Sequence, residues 1–342
     1  MAQPFDVDRL AVTGEVVAVA ESVGGTTTAY GAFSVSRTGV LVHANQLGFR
    51  GDLRWFDRTG AMLGVVTPEA EYLDFELSPD ERMVAMSRVD PQPNSGDIWL
   101  LDLDRKITSR FTTDRINETG ALWSPDGGRI VFRNNRRGTT DLYQKRSSGA
   151  GAEELLLSPG GVAINSDWSR DGRYIVFTAT NPTTGFDIWV WPTGGDQKPT
   201  LAVRTPLNEM HGRLSPDGRW MAYASDESGE LQVYVQPFPA TGDKKQISSD
   251  GGSEPRWRRD GNELFYLASN RALMSVSIPG GNALNARVPQ ALFTTRAPLV
   301  GSPYRANYAV IASGQRFLVN TRLEDTPSPI TVVLNWTAGL DK

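Results

Sequence analysis

The chain has 342 residues, 39% of them hydrophobic, and a formal net charge of −4 with no block of like charge. This balance argues against nucleic acid or an anionic membrane surface as a partner. The chain contains no cysteine, which excludes disulfides, thiolate metal sites and cysteine nucleophiles.

The first 23 residues precede any hairpin signal. They are not basic and hold no apolar run long enough for a signal peptide. No segment of the chain approaches the ~20 apolar residues of a membrane span. We therefore expect no membrane insertion by this chain, and a cytoplasmic location if it is expressed alone. The layout of this stretch is like that of Leu273 to Phe293, which predicts two strands.

From residue 24 onward a hairpin motif recurs, typically as a strand, the turn Ser-Pro-Asp-Gly and a second apolar strand. Proline presets φ in such a turn, aspartate accepts hydrogen bonds from the backbone beyond it, and glycine takes the positive-φ position. Most copies are separated by roughly 42 to 46 residues, a period that indicates a β-propeller. The copies are Val35-Ser36-Arg37-Thr38-Gly39, Leu77-Ser78-Pro79-Asp80, Trp123-Ser124-Pro125-Asp126-Gly127, Trp168-Ser169-Arg170-Asp171-Gly172, Leu214-Ser215-Pro216-Asp217-Gly218, Trp257-Arg258-Arg259-Asp260-Gly261 and Val310-Ile311-Ala312-Ser313-Gly314.

Each copy continues into a third strand with an aromatic residue at a fixed place, and most have a fourth strand. Four antiparallel strands form one blade, which buries its faces only by stacking on neighbouring blades. We therefore expect the tryptophans of the repeat to pack in the core. The third strands are Leu53-Arg54-Trp55-Phe56, Asp97-Ile98-Trp99-Leu100, Asp141-Leu142-Tyr143, Asp187-Ile188-Trp189-Val190 and Gln232-Val233-Tyr234-Val235, and the other core tryptophans are Trp123, Trp168 and Trp257.

The repeats predict an all-β fold, a seven-bladed propeller of four-stranded antiparallel blades in a single domain over residues 1–342. Residues 1–23 are a partial blade, and residues 24–342 hold repeats of about 42 to 50 residues. In the last blade, Ile330 to Trp336 is the predicted third strand. The ring is expected to close when Glu15 to Ser22 completes that blade, which hides both sheet edges. Six or eight blades are the alternatives.

Aligned repeats place polar residues at two positions near the end of most first strands, with five of seven polar at the first of these positions. Because first strands surround the central channel of a propeller, these side chains are predicted to face one polar funnel. Such a funnel is the default ligand site of this fold. The predicted ligand-binding residues are Asp74, Glu76, Asn165, Asp167, His211, Arg213, Glu254, Arg256 and Asn307.

A structural interpretation of the funnel competes with ligand binding, because opposite charges in a propeller channel pair with one another. Asp167 with Arg213, and Glu254 with Arg256, are the expected pairs. The sequence has no nucleophile elbow, zinc-binding helix motif or phosphate loop, and only two histidines. We therefore expect no catalytic residues, no metal and no cofactor, and we expect the turn aspartates to be structural.

These repeats resemble TolB-like, WD-repeat-related β-propellers. More narrowly, they are similar to the C-terminal propeller of acidobacterial membrane-bound serine/threonine kinases. That similarity rests on Gln3-Pro4-Phe5-Asp6, Phe33-Ser34-Val35-Ser36, Trp55-Phe56-Asp57-Arg58, Asp97-Ile98-Trp99-Leu100, Glu153-Glu154-Leu155-Leu156-Leu157, Pro255 to Gly261 and Ile330 to Leu340. The resemblance implies a periplasmic or otherwise extracytoplasmic sensor or interaction module, and a kinase domain in a longer parent chain.

Three functions remain open from the sequence. The first is a non-enzymatic propeller that binds a protein, a peptide or a small molecule, as the sensor of a bacterial signalling protein. The second is a hydrolase or lyase with a metal held in the funnel by Asp74, Asp167 and Glu254. The third is a structural spacer.

Overall fold

The computed structural model describes residues 2–20, 33–44, 50–90, 95–114, 116–195, 198–241, 244–280, 283–298, 300–323 and 330–339. Contacts between Cα atoms divide the chain into two compact units. Unit 1 comprises Met1–Phe49 and Leu323–Lys342, and unit 2 comprises Arg50–Arg322. The prediction that residues 1–342 form a single propeller domain stays a prediction.

Almost all regular structure in the described residues is β-strand, which confirms the all-β prediction. The strands up to residue 110 are β1 (Phe5–Asp6), β2 (Ala11–Val12), β3 (Phe33–Val35), β4 (Val40–Ala44), β5 (Arg50–Asp57), β6 (Met62–Val65), β7 (Ala70–Leu77), β8 (Met83–Asp90), β9 (Ser95–Asp102) and β10 (Ile107–Arg110). Next come β11 (Glu118–Trp123), β12 (Arg129–Asn134), β13 (Asp141–Arg146), β14 (Glu154–Leu157), β15 (Ala163–Trp168), β16 (Tyr174–Asn181), β17 (Gly185–Pro192), β18 (Thr200–Val203), β19 (Glu209–Leu214) and β20 (Trp220–Ser225). The last are β21 (Gln232–Pro237), β22 (Lys245–Gln246), β23 (Ser253–Trp257), β24 (Glu263–Leu267), β25 (Ala272–Ser277), β26 (Gln290–Thr294), β27 (Tyr308–Val310), β28 (Arg316–Arg322) and β29 (Ile330–Leu334), followed by a 3-10 helix over Trp336–Gly339.

Unit 2 contains six groups of four antiparallel strands. Four of these groups are separate sheets, formed in order by β11 to β14, β15 to β18, β19 to β22 and β23 to β26. The other two are β7 to β10 and the group β27-β28-β5-β6, which join through the short pairing of Arg50 and Gly51 with Glu71 and Ala70. Repeated four-stranded antiparallel groups of this kind are typical of a propeller.

Unit 1 holds the short β1–β2 pair and a three-stranded sheet in the order β29-β4-β3. Much of this sheet's apolar surface is exposed, including 69% of Leu334 and 58% of Phe33. In the described part of the predicted closing strand, Val17 bridges Ala2. Residues 21 and 22 of that strand lie outside the described residues.

Two predicted strand assignments are wrong, because the third strands of the first and last repeats have exchanged their pairing partners. We predicted that the strand at Leu53 is the third strand of the first repeat and that Ile330 to Trp336 is the third strand of the last one. Instead β5 pairs with β28, from Arg316↔Asp57 to Arg322↔Gly51, and β29 pairs with β4. The exchange is favoured by burial, since Leu53, Phe317 and Leu318 are fully buried in the β5–β28 pair.

The hairpin turns are held by the serine of the motif as well as by proline, aspartate and glycine. In the third copy, Ser124 Oγ donates to Asp126 Oδ1 at 2.5 Å and accepts from the backbone N–H of Arg129 at 2.9 Å. Gly127 has φ of +71°, the left-handed conformation that glycine adopts without strain. The same serine contacts recur at Ser78, Ser169 and Ser215. The turn aspartates are therefore structural, as predicted.

The tryptophans of the repeat pack in the core, as predicted. Trp123 is 7% exposed, and its Nε1 donates to the backbone oxygen of Glu76 in the preceding group at 3.3 Å. Trp257 Nε1 likewise donates to the backbone oxygen of Arg213 at 3.2 Å. The others, Trp99, Trp168 and Trp189, are partly buried against apolar clusters. The rings of Trp123 and Trp257 therefore link neighbouring four-stranded groups.

Candidate functional site

The first strands of the six groups are connected to one another by hydrogen bonds. Gly120 N–H on β11 donates to Asp74 Oδ2 on β7 at 3.1 Å, and Asn165 Nδ2 on β15 donates to the Gly120 oxygen at 2.5 Å. Leu214 N–H on β19 donates to Asp167 on β15, and Trp257 Nε1 on β23 donates to the backbone oxygen of Arg213 on β19. Asn307 N–H beside β27 donates to Glu254 on β23, and Ala306 N–H donates to the Leu73 oxygen on β7. The predicted site residues lie along this series of strands.

A β-bulge near the same position in five of the first strands redirects these side chains. The pairing register shifts there in β7, β11, β15, β19 and β23. At three of the bulges the residue has positive φ, namely +74° at Gly120, +58° at His211 and +55° at Glu254. A bulge bends the strand and re-aims a side chain, and backbone strain of this kind clusters at functional sites.

The structure brings together all nine predicted residues in unit 2. Seven of them line one cavity of about 60 Å³, which has room for only a few water-sized groups: Asp74, Glu76, Asn165, His211, Arg213, Glu254 and Arg256. Asp167 lines a second cavity, on the side of the hairpin turns, together with Glu76, Arg213 and Arg256. Asn307 lies behind Glu254 and is bonded to it. We call the first cavity the funnel and the second the turn-side mouth.

Four charged side chains separate the funnel from the turn-side mouth. Arg256 Nη1 lies 3.1 and 3.0 Å from the two carboxylate oxygens of Glu76, and Arg213 lies 3.5 Å from Glu76 and 3.4 Å from Asp167. Burial would raise the pKa of Glu76, but the two arginines lower it overall. Burial raises the pKa of Asp167. Of the two predicted ion pairs, Asp167 with Arg213 is confirmed, whereas Arg256 pairs with Glu76 instead of Glu254.

Arg133 on β12 is a funnel residue that the sequence analysis missed. It is 7% exposed, its Nε donates to Thr119 Oγ1 at 2.8 Å, and its Nη2 lies 3.5 Å from Asp74. Asp74 also accepts from Ser87 Oγ at 2.7 Å, and burial raises its pKa. The available signal was a charged residue directly after the apolar run Ile130 to Phe132 of a second strand.

Glu254 is a buried carboxyl held by one neighbouring residue. Asn307 donates to it twice, from its backbone N–H at 2.7 Å and from Nδ2 at 2.6 Å. Burial raises the pKa of Glu254 from 4.5 to about 7, although the bonds from Asn307 and the charge of Arg256 act against the rise. The group is therefore close to half-protonated near neutral pH.

His211 is a partly buried, neutral ring in the funnel. Its Nε2 is 3.0 Å from the backbone oxygen of Ser302, an acceptor, so Nε2 carries the proton and Nδ1 is an acceptor. Burial lowers the pKa of His211 to about 4, and the charges of Arg213 and Arg256 act in the same direction. Within the described part of the chain, His211 Nδ1 and Asn165 Oδ1 are buried acceptors that have no hydrogen-bond partner.

The funnel carboxylates do not converge as metal ligands would. Among the described residues, the group of three acidic or histidine side chains with ligand atoms within 4.8 Å of one another is Asp114, Glu118 and Glu153, outside the funnel. Arg136 Nη2 already bonds to all three carboxylates there. A guanidinium in that position fits an ion-pair cluster rather than a cation site.

Residues 69–209 match the family model of the TolB beta propeller domain. This segment of the chain is similar to a TolB-like β-propeller domain. An uncharacterised protein of Agrobacterium fabrum is 27% identical over 206 residues, which cover 57% of this chain and 69% of that protein. A TolB homologue of Chlorobium chlorochromatii is 25% identical over 177 residues, covering 48% of this chain and 37% of that protein.

The fold of this chain also matches solved structures. The structure of a putative TolB from Agrobacterium tumefaciens has a TM-score of 0.66 and 17% sequence identity, and the match covers 81% of this chain and 99% of that one. At that identity the likeness shows the fold alone. In the described residues there is no helix with the length and apolar composition that a membrane span requires.

Proposed function

We propose that unit 2 is one closed six-bladed propeller. The six four-stranded groups support this proposal, as do the hydrogen bonds that connect each first strand to the next, including Ala306 to Leu73. The last blade would then combine β27 and β28 with β5 and β6, two strands from each end of unit 2. Pairing the two ends of unit 2 in one blade hides sheet edges that would otherwise promote aggregation.

The function that the geometry supports best is non-enzymatic binding, in a module that interacts with another protein. A TolB-like propeller suggests a protein-interaction module. The funnel would receive a polar group of the bound segment, such as a backbone amide or a hydroxyl. Its volume of about 60 Å³ fits a small group rather than a whole small-molecule ligand.

One observation carries this proposal: the funnel holds buried acceptors without partners beside carboxylates that already have partners. His211 Nδ1 and Asn165 Oδ1 accept no hydrogen bond within the described residues, whereas Asp74, Glu76 and Glu254 are each bonded within the protein. A buried polar group without a partner costs about 1–3 kcal/mol, which a ligand's hydrogen bond would offset. The arrangement is suited to holding a donor group.

The metal-dependent hydrolase or lyase is the weaker candidate. It needs Asp74, Asp167 and Glu254 to converge on a cation, but Asp74 is bonded to Ser87, Asp167 to Leu214 N–H and Glu254 to Asn307. It also needs a base with an adjacent nucleophile. His211 bonds to a backbone oxygen through Nε2. The structural spacer is disfavoured by the unpartnered acceptors.

We further propose an extracytoplasmic location and a role as the sensor of a bacterial signalling protein. Both rest on the resemblance of the repeats to propellers of membrane-bound kinases. A kinase domain in a longer parent chain would be the output of that sensor.

Ligand binding in the funnel is tested by thermal unfolding of the purified chain with a panel of peptides and with cell-wall fragments. Mn²⁺ and EDTA are added in separate measurements. A ligand at a hundredfold its Kd adds about 2.7 kcal/mol of stability, about 4 °C for a chain of this size. We expect a peptide to raise the midpoint, and Asn165→Ala/His211→Ala to remove the shift. Asn262→Ala, an exposed hairpin asparagine, is the matched control and should retain it.

Two results would contradict the proposal. A shift produced by Mn²⁺, abolished by EDTA and dependent on Asp74 would favour the enzyme. A flat response to every peptide and fragment, in a chain that melts cooperatively, would remove the funnel as a binding site.

A further inference from the structure

The turn-side mouth is a cavity of about 230 Å³ at the opposite end of the channel from His211. Its floor is formed by Glu76, Arg213 and Arg256, which also line the funnel. Its rim is formed by hairpin turns. A cavity of this volume accommodates a small molecule of several heavy atoms, unlike the funnel above it.

The rim departs from the repeat in a specific way. The third position of the motif, which is proline in Ser-Pro-Asp-Gly, lines the mouth in five copies, as Pro79, Arg170, Pro216, Arg259 and Ala312. Proline is the residue that presets the turn, and two of these five copies replace it with arginine. Both arginines therefore give up a turn-stabilising residue and bring a guanidinium to the opening of the channel.

The two rim arginines have no carboxylate partner among the described residues. Arg170 Nη1 donates to the backbone oxygen of Arg259 at 2.9 Å, and Arg259 Nη1 lies 3.4 Å from the backbone oxygen of Pro79. Burial lowers the pKa of Arg170, and the positive charge of Arg259 lowers it further. This indicates an uncompensated positive potential at the rim.

The carboxylates of the mouth are already engaged. Glu76 and Asp167 pair with Arg213 and Arg256, and Glu81 accepts from the backbone N–H of Ala312. The lining as a whole holds four arginines against three carboxylates. The positive charge that has no carboxylate partner is therefore that of Arg170 and Arg259 on the rim.

The floor holds an unused donor. Arg256 is 6% exposed, and within the described residues its Nη2 is buried with no hydrogen-bond partner, although Nη1 binds Glu76. A buried donor without an acceptor is uncommon in folded proteins and costs free energy. An oxygen of a ligand in the mouth would satisfy it.

We propose that the turn-side mouth binds a small oxyanion, a carboxylate or a phosphate, between the guanidinium groups of Arg170 and Arg259, with Arg256 Nη2 as a further donor. Guanidinium groups recognise both anions by paired, charge-assisted hydrogen bonds. The proposal does not rest on peptide binding in the funnel, because its rim residues lie outside that cavity.

The test is isothermal titration calorimetry of the full chain with inorganic phosphate and, separately, with succinate, in Tris chloride at fixed low ionic strength. We expect saturable binding of at least one anion. Arg170→Gln/Arg259→Gln should weaken it by about tenfold or more, because the charge-assisted hydrogen bonds from both guanidinium groups are lost. Arg170→Lys/Arg259→Lys keeps the positive charge but cannot donate the paired hydrogen bonds of a guanidinium, and it should weaken binding less than the glutamine variant does.

The matched control is Arg173→Gln/Arg219→Gln. It removes the same charge from hairpin arginines that pair with Asp171 and Asp217 and do not line the mouth. We expect it to keep the affinity within about twofold, since a distant exposed charge is screened. Asn165→Ala/His211→Ala should also bind the anion normally, which separates this site from the funnel.

The anion that binds identifies the ligand chemistry. Saturable binding of phosphate alone supports a phosphorylated ligand, and binding of succinate alone supports a carboxylate ligand. The proposal is overturned if the wild-type chain binds neither anion, or if the glutamine variants of the rim and of the control lose affinity equally.

Discussion

At the scale of single residues, burial shifts the pKa values of two funnel residues toward the neutral form, whereas hydrogen bonds shift those of the turn aspartates toward the charged form. His211 and Glu254 are each shifted toward their neutral form, with pKa values of about 4 and about 7. The exposed turn aspartates show the reverse, because hydrogen bonds from Ser124 and its counterparts lower the pKa of Asp126 and the equivalent residues. Ionisation of His211 or of Glu254 in the funnel therefore costs stability.

The pH dependence of unfolding follows from these two shifts, and their signs oppose each other. Glu254, raised from 4.5, contributes stability below pH 4.5 that is lost as the pH rises through about 7. His211, lowered from 6.5, contributes stability above pH 6.5 that is lost as the pH falls through about 4. Each full shift amounts to about 3 kcal/mol, so the two contributions nearly cancel between these limits.

Single variants should expose each contribution in urea-unfolding profiles between pH 4.5 and 7. With His211→Gln, the remaining Glu254 should make the free energy of unfolding increase as the pH falls. With Glu254→Gln, the remaining His211 should make it decrease. Parallel profiles in the two variants would show that neither group titrates as the burial predicts.

At the scale of elements, the decisive feature is the exchange of third strands between the first and last repeats. Pairing of β5 with β28 buries Leu53, Phe317, Leu318 and Val319 completely. It leaves β4 to pair with β29, whose residues are mostly exposed. Burial of apolar side chains contributes about 1.5–3 kcal/mol each, enough to select one partner over another.

A disulfide tests this exchange directly, since the chain has no cysteine of its own. Asp57 and Arg316 are Cα partners at the end of the β5–β28 pair. We expect Asp57→Cys/Arg316→Cys to form an intramolecular disulfide under mild oxidation, detected by mass spectrometry of the digested chain. The control is Asp57→Cys/Val40→Cys, which joins β5 to the strand that the sequence predicted as its partner. A cross-link in the control pair and not in the test pair would reverse the assignment.

At the scale of the whole molecule, unit 2 brings its own two ends together. Gly51 is the Cα partner of Arg322, so the unit begins and ends on adjacent strands. All six four-stranded groups lie between these residues. A unit with its own core and adjacent termini has the properties of an independent domain.

We therefore expect a chain of residues 50–322 to fold by itself. Calorimetry should show one cooperative transition with a midpoint within a few degrees of that of the full chain. The anion affinity of the turn-side mouth should be unchanged, because every residue of that site lies in unit 2. Loss of cooperative melting would show that residues 1–49 and 323–342 are part of the folding unit.

The sequence alone determined the strand repeats, the hairpin turns and the buried tryptophans, because these depend on local chemistry repeated every 40 to 50 residues. It also placed Asp74, His211 and Glu254 in one funnel, since equivalent positions of a repeat occupy equivalent places in a ring. The lone charge of Arg133 and the two arginines that replace turn prolines, Arg170 and Arg259, were visible as departures from the repeat.

Only the tertiary structure decided which strands pair at the ends of the repeat, because the second strands β4 and β28 both carry a short apolar run and each pairs with a strand more than 250 residues away. It also decided the pairing of charges. Arg256 reaches Glu76 on β7 rather than Glu254 on its own strand, at a distance along the chain of 180 residues. Such choices depend on the burial and reach of side chains from different blades, which a local pattern does not encode.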